Sequence, residues 1–401
     1  MSDSEIKPDA QIKELKEEIK KLKKKPDSKT EVSYMAEIAS LKKEKLDLNK
    51  QLKGAIHEHG LFQAIAEELP DLIQPMEELP PVTVIRDKGA KEEHLVIHLS
   101  DLHADEIVHA NQVGGTEEFN FGVACCRAEK YVQTILEWTR DLNKLKFPVV
   151  HILAYGDNSS GEIHESVGRS EFKNQFKNCL AIGQLMALMY RDIAAAFPYV
   201  KVYCVAGNHG RRSIKKDYHG AHNNWDYLIY KMTQLHCADI KNIEFAIPDC
   251  YSINIDINGH GFNIQHGDDI KSWNGIPFYG IERKTRRMVA LQAALGNKID
   301  YFVMGHFHAL TNSADLKGET IINGAFPATN PYGYESFSGY REPMQLVHGV
   351  SKTYGATWRL PVKIKDAANE AKGPKRYKVD FENFGRVVPF DSGIKTFTPT
   401  R

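Results

Sequence analysis

The sequence predicts a layered α/β domain preceded by a charged helical arm. From about Val82 onward, apolar strand-like runs alternate with amphipathic helical stretches, the pattern of a sheet covered by helices. The run Phe147–Ala154 is too continuously apolar for a half-exposed strand and suits a central strand covered on both faces. Five of the runs end in carboxylate, amide or imidazole side chains, at positions where a sheet has no structural need of them.

With 401 residues the chain exceeds an average domain of roughly 100 to 150 residues, so one large domain with appendages is expected. Lys plus Arg and Asp plus Glu number 52 each, so any preference for nucleic acid or membrane has to come from local patches. No apolar run approaches the ~20 residues of a membrane helix, and the polar N-terminus lacks a signal-peptide core. The six cysteines are scattered, with no Cys-x-x-Cys pair. These features predict a cytoplasmic protein with reduced thiols and no membrane contact.

In chain order, residues 1–53 form the arm. Ile12, Leu15, Ile19 and Leu22, then Ile38, Leu41, Leu48 and Leu52 after a break at Pro26, follow a coiled-coil-like three-four spacing among Lys and Glu. That spacing suits a homodimerising or partner-binding arm, and equally a charged helix with no specific task; Lys45 falls on the seam. Residues 54–81 read as a helical linker ended by Pro70, Pro75, Pro80 and Pro81. The main domain spans 82–340, with amphipathic helices expected over Ala128–Leu145, Phe176–Phe197, Trp225–Leu235 and Arg283–Leu295. Tyr251–Ile257 alternates with period two, and Asn258-Gly259 turns it back into a hairpin. Residues 341–401 carry two short late strands, Gln345–His348 and Tyr377–Phe381, and a loose tail.

The strand ends carry the chemistry. Leu95–His103 ends in Asp101 and His103, the next run in Gly156 and Asp157, and the third in Asn208 and His209. Phe262–His266 ends in His266, and Tyr301–His308 in His306 and His308. These groups stand roughly 40 to 60 residues apart, too far for a zinc-finger loop and enough for strand-helix-strand units. In layered α/β folds, residues just past the carboxyl ends of strands converge on one crevice. Oxygen and imidazole donors without thiolate suit manganese, iron, zinc or magnesium. A cation pair about 3.5 to 4 Å apart needs one bridging carboxylate, and Asp157 is the candidate.

Taken together, Asp101-x-His103, Gly156-Asp157, Gly207-Asn208-His209, His266 and Gly305-His306-x-His308 resemble the calcineurin-like metallophosphoesterase superfamily in order and in strand-loop context, over roughly Leu95 to Asn330. The resemblance implies a four-layer α/β/β/α sandwich with a binuclear site at the strand ends. It implies that Asp101, His103 and His308 hold one metal, that Asp157 bridges, and that Asn208, His266 and His306 hold the second. His209 would instead face the substrate phosphate, stabilising charge or protonating the leaving oxygen. Two divalent ions are implied, manganese favoured over iron, zinc or magnesium. The sequence departs from the family where an acidic residue commonly follows Gly-Asn-His: here Gly210 and Arg211 follow, so His209 has to find another orienting partner. Asn158-Ser159-Ser160 replaces the usual acidic extension of the Gly-Asp motif.

Arg211 and Arg212, with Lys215 and Lys216, are candidate contacts to a substrate phosphate, and Arg283–Arg287 supplies a second basic cluster. Trp273, Phe278 and Tyr279 suit base stacking, or a core. Ile321–Asn330 resembles the closing loop of phage and bacterial repair-nuclease-like members. The expected activity is therefore hydrolysis of DNA phosphodiester bonds by a metal-activated hydroxide, in host cytoplasm if phage-encoded. A phosphatase or small cyclic-phosphodiester hydrolase is the alternative enzyme, and a non-catalytic scaffold working through the arm is the alternative of another class.

Overall fold

Period-two and continuous apolar runs become the strands of two sheets. The computed structural model describes residues 13, 16, 17, 20, 40–45, 89–163, 170–218, 220–271, 277–315, 318–337 and 339–379. The chain divides into two compact units, 1–74 and 75–401. In the first, Lys13, Lys16, Glu17, Lys20 and residues 40–45 are helical. Among them Leu41 is an apolar seam position and Lys45 the charged one; the other seam positions and the expected 54–81 linker lie outside the described residues.

The second unit runs through β1 (Lys91–Glu92), β2 (His94–Leu99), α1 (Phe121–Asp141), β3 (Leu145–Lys146), β4 (Val150–Ala154), α2 (Gln175–Ala196), β5 (Val200–Cys204), α3 (Trp225–His236) and β6 (Ile243–Ala246). It continues through β7 (Ser252–Ile257), β8 (His260–Gln265), α4 (Phe278–Ala294), β9 (Tyr301–Met304), β10 (Thr311–Asp315), β11 (Gly318–Ile322), α5 (Pro331–Phe337), β12 (Met344–Ser351), β13 (Gly355–Lys363) and α6 (Ala367–Glu370). One sheet has the order β13-β12-β2-β4-β5-β6, a second β10-β11-β9-β8-β7, and β1 and β3 form a separate parallel pair. Strands β2, β4, β5 and β6 are mutually parallel, and so are β8, β9 and β11. The continuously apolar β4 lies in the middle of its sheet with every residue buried. Asn258 and Gly259, at φ 54° and 90°, make the β7–β8 hairpin turn that their sequence predicts.

The sheets face each other. Val96, Leu153 and Leu346 of the first pack against Phe262, Ile264, Val303 and Ile321 of the second, each fully buried side chain contributing about 1.5–3 kcal/mol. Ile281, Met288 and Val289 of α4 cover the outer face of the second sheet at Phe302, Met304 and Ile322. On the first sheet's outer face, Leu95, Ile97 and Leu99 are buried, opposite in parity to Val96. There Tyr131 of α1 donates to the carbonyls of His98 (2.7 Å) and Leu346 (3.0 Å), α2 packs beside α1, and α3 packs beside α2. The layering is α/β/β/α.

Four expectations need correction. Helix α1 starts earlier and stops earlier than expected, because Asn120 caps it through Val123 N (3.0 Å) and Leu145 pairs with Lys91 in β3. Helix α2 has 22 residues and is apolar enough to span a bilayer by length and composition, but 72% of its apolar window is buried inside the domain. The expected boundary at 340 cuts through one sheet, since β12 pairs with β2. Tyr377–Val379 form no strand; Tyr377 is a buried anchor whose hydroxyl donates to Asp192 (2.9 Å).

Candidate metal centre

Parallel strands place their carboxyl ends on one edge, and each of the predicted ligands sits just beyond such an end. Asp101 and His103 follow β2, Asp157 follows β4, Asn208 and His209 follow β5, His266 follows β8, and His306 and His308 follow β9. Asp101, His103, Asp157, His306 and His308 all adopt left-handed backbone, with φ of 54°, 41°, 55°, 68° and 52°. For residues that bear a Cβ this costs on the order of 1–3 kcal/mol each, so the surrounding structure imposes it. Lys173 and Asn258 are the other non-glycine residues of positive φ among those described.

The turns are tied to one another. Asp101 N donates to Gly156 O, His103 N to Asp157 O, and Phe326 N to Asp101 O, each at 3.0 Å. Across the sheets, His306 N donates to Asp101 Oδ1 (3.0 Å); within the first sheet, His209 N donates to Asp157 Oδ1 (2.8 Å). Two glycines permit this closeness: a Cβ on Gly305 would collide with the Asp101 carboxylate, and one on Gly207 with that of Asp157. In both aspartates Oδ1 takes a backbone N–H; Asp101 Oδ2 is buried without a hydrogen-bond partner among the described residues, and Asp157 Oδ2 faces His266 Nε2 at 2.9 Å.

Three groupings of donor atoms result, each within 4.8 Å: Asp101, His103 and His308; Asp157, His266 and His306; and His103, Asp157 and His209. In the first, His103 Nε2 and His308 Nε2 are 3.3 Å apart, and His308 Nε2 is 3.3 Å from Asp101 Oδ1. In the second, His266 Nε2 lies 2.9 Å from Asp157 Oδ2 and 3.1 Å from Asn208 Oδ1. Donors bonded at about 2.1 Å to one cation stand about 3.0 to 3.4 Å apart, in octahedral or tetrahedral order. The site passes that test. Asp157 shares one grouping with His103 of the first set and another with His266 and His306, which puts its carboxylate between the two sets. Geometry alone also puts His209 within ligand reach, which the sequence reading had not expected.

Electrostatics points the same way. His266 Nδ1 faces the Tyr155 carbonyl at 2.8 Å and must donate to it, so in the neutral ring Nε2 is a lone pair aimed at two other acceptors. Such a cluster requires a positive charge in its midst. Desolvation opposes the imidazolium, but Asp157 overrides it and raises His266 to about 10. Desolvation and the charge of His266 together push His306 down to about 4. Burial works against the Asp157 carboxylate, yet His266 and His209 hold it well below the usual carboxylate range.

His209 finds the partner its sequence context lacks: its Nδ1 donates to the Ser160 carbonyl at 3.0 Å, and its ring meets that of His103 edge-on at 4.8 Å. Ser160 Oγ also lies 3.1 Å from His103 Nδ1. Sequence reasoning missed two buried carboxylates beneath this turn. Asp105 accepts from Ser159 Oγ (2.9 Å) and Ser160 N (2.8 Å), and Asp226 accepts from Asp157 N (3.0 Å) and Asn158 N (3.1 Å). Asn224-x-Asp226 reads in sequence as ordinary helix-start chemistry and gave no signal.

The expected phosphate contacts are placed differently. Arg211 pairs with Asp268, two residues past His266, and Lys216 Nζ lies 3.1 Å from both oxygens of the same carboxylate. A largely buried carboxylate at the rim draws both cations inward. Arg212 is exposed, its guanidinium 5.9 Å from the Trp225 ring centroid. Lys284 pairs with Asp269. Phe278 and Tyr279 are exposed at the start of α4, and Trp273 lies outside the described residues.

No protein-family model matches the sequence, and no curated protein matches it. Among solved structures, vacuolar protein sorting 29 of Cryptosporidium parvum is similar at 13% identity and TM-score 0.30, over 65% of this chain and 86% of that one. A novel archaeal phosphodiesterase is similar at 9% identity and TM-score 0.30, over 67% of this chain and 99% of its own. A predicted phosphoesterase of Streptococcus pneumoniae is similar at 10% identity and TM-score 0.27, over 67% and 98%. At such identities and TM-scores these likenesses assign neither a family nor an activity to this chain.

Proposed function

We propose that this chain is a metal-dependent phosphoesterase, and that its substrate is a phosphodiester, with a DNA strand as the favoured class. The observation that carries the proposal is the meeting of seven donor side chains from five strand ends, two of them the fully buried carboxylates of Asp101 and Asp157. Asp101, His103 and His308 would hold one divalent ion, Asn208, His266 and His306 a second, and Asp157 would join them, manganese being the favoured metal. When bound, such a pair supplies Lewis-acid charge and activates water for in-line attack on phosphorus.

The chain's own groups do the rest. With its proton on Nδ1 fixed by Ser160, His209 uses Nε2 to hold a proton for the leaving oxygen or to steady charge on a nonbridging one. The strand-shaped substrate is supported by cations and aromatics on the segments flanking the site. Arg212, Lys215, Ile214 and Tyr218 are exposed on the loop after His209, as are Phe278 and Tyr279 on α4. A second reading, a small phosphoester as substrate, is favoured by the pairing of Arg211 and Lys216 with Asp268, which removes two cations from a polyanion's reach.

Metal-stripped protein supplied with Mn²⁺ tests both readings on single- and double-stranded DNA, bis(4-nitrophenyl) phosphate and 4-nitrophenyl phosphate. Cleavage of DNA and diester that Asp157→Ala abolishes is expected. Cleavage of the monoester alone would transfer the proposal to a phosphatase. Hydrolysis of none, or an unaffected Asp157→Ala variant, would leave the scaffold reading.

A further inference from the structure

Asp226 is a fully buried carboxylate in the first turn of α3, and it sits outside all three groupings of metal-donor atoms. Its Oδ2 accepts from Asp157 N (3.0 Å) and Gly207 N (2.8 Å), and its Oδ1 from Asn158 N (3.1 Å) and Asn158 Nδ2 (2.8 Å). Four donors match the roughly four lone-pair positions of a carboxylate. Its own N–H is held by Asn224 Oδ1 (2.9 Å), whose amide donates to Gly207 O (2.9 Å). One turn further along α3, the Tyr230 hydroxyl accepts from Gly156 N and donates to Val205 O, both at 3.0 Å. Residues 226 and 230 share a helix face. That face grips two turns at once, the one carrying Asp157 and the one carrying Asn208 and His209.

These bonds are not needed to pair the strands. The β4–β5 ladder already runs to Ala154 and Cys204, and Val205 N extends it to Ala154 O (2.8 Å). Asp226 acts where the ladder has ended, on backbone that Asp157 holds at φ 55°. Three N–H groups converging on one buried carboxylate fix how far the 157 turn stands from the 207 turn. That spacing sets Asp157 Oδ2 and Asn208 Oδ1 around His266 Nε2.

We infer that Asp226 is a positioning residue for the metal centre, locking the bridging Asp157 and the Asn208 turn into one cation-binding geometry. The inference rests on the proposed reading of this site as a two-metal centre. Replacing one oxygen by an amide, as in Asp226→Asn, turns an acceptor of two hydrogen bonds into a donor facing donors. Outer-shell partners of metal ligands typically contribute 10–100-fold in affinity.

The test is a Mn²⁺ titration of the metal-stripped full chain by calorimetry, with electron paramagnetic resonance of the doubly loaded protein and circular dichroism of the metal-free one. Wild type is expected to take up two Mn²⁺ with a spin-coupled signal. Asp226→Asn is expected to keep its circular dichroism, lose 10–100-fold in affinity for at least one ion, and lose or broaden the coupled signal. A purely structural role would lower the melting temperature and leave coupling intact. If Asp226→Asn does not fold, Asn158→Ala, which removes one side-chain donor, is expected to shift affinity and coupling in the same direction by a smaller factor. Equal affinity and coupling in the folded variant would overturn the inference while leaving the metal centre standing. Absence of Mn²⁺ uptake by wild type would overturn both.

Discussion

His266 and His306 are neighbours in one donor grouping yet carry opposite charge tendencies, and this has a measurable consequence. His266, raised to about 10 by Asp157 against desolvation, is an imidazolium near neutral pH, whereas His306, lowered to about 4, is already neutral. A metal ligand must be neutral imidazole, so loading the site displaces the His266 proton and not one from His306. Calorimetry of Mn²⁺ binding at pH 7.5 in two buffers of different ionisation enthalpy should register at least one proton released, from His266 and in part from His308, which, against desolvation, Asp101 also holds above the usual imidazole range. His266→Gln should lower that release by about one proton, and affinity in wild type should climb with pH towards 10. His209 makes a second residue-scale case. If its Nε2 handles a proton rather than a metal, His209→Gln should retain both Mn²⁺ and lose about 10²–10⁴-fold in kcat on bis(4-nitrophenyl) phosphate; loss of one ion instead would make it a ligand. The seven candidate ligands were legible because each is a polar residue at the end of an apolar run. Asp226 and Asp105 were not, because a carboxylate that serves backbone N–H groups looks in sequence like any helix cap or loop acid.

Elements were legible where a single periodicity governed them, and blurred where packing reused the pattern. β4 and the β7–β8 hairpin follow directly from continuous apolarity and from Asn258-Gly259. Tyr377-Lys-Val379 has the alternation of a strand, but Tyr377 and Val379 point inward as anchors and pair with no strand. Period two reports which side chains are buried, not what the backbone bonds to. The same distinction explains Gly305. Its role is to let the β9 turn approach β2's, with Asp101 where a Cβ would be. Gly305→Ala should therefore leave β9 and its ladder intact by circular dichroism, since no left-handed backbone is required there. It should weaken Mn²⁺ binding by about tenfold or more, as expected when a ligand carboxylate is displaced. Full affinity in this variant would mean that the Asp101 turn tolerates a shift that its hydrogen bonds to Gly156 and His306 should prevent.

At the scale of the molecule, the space between the sheets holds a layer of histidines that the sequence did not mark as special. His98, His151 and His348 are buried there, with His94 half-buried beside them. His98 Nδ1 lies 3.0 Å from Tyr155 Oη, and His94 Nδ1 lies 2.9 Å from His151 Nε2. Desolvation is the first cause that holds them neutral: His151 and His348 are lowered to about 3 and His98 well below 6.5. Unfolded, each would titrate near 6.5, so below that pH the unfolded chain binds more protons than the folded one, and stability falls as pH falls. The slope approaches about 1.4 kcal/mol per pH unit for each histidine. His266 acts with the opposite sign: its raised folded value contributes stability that is complete below about 6.5 and is lost as pH rises towards 10. Metal-free protein should therefore be most stable near pH 6.5 to 7. Urea unfolding at pH 7, 6.25 and 5.5, above the ordinary carboxylate range, measures the acid limb. His348 is the residue to replace, because neither of its ring nitrogens has a partner among the described residues. His348→Leu fills similar space without a buried polar atom. It should match or exceed wild-type stability at pH 5.5 and reduce the acid slope by roughly one histidine's share. An unchanged slope would mean that this ring is protonated within the fold, and that the two sheets are held together differently from the neutral interface described above.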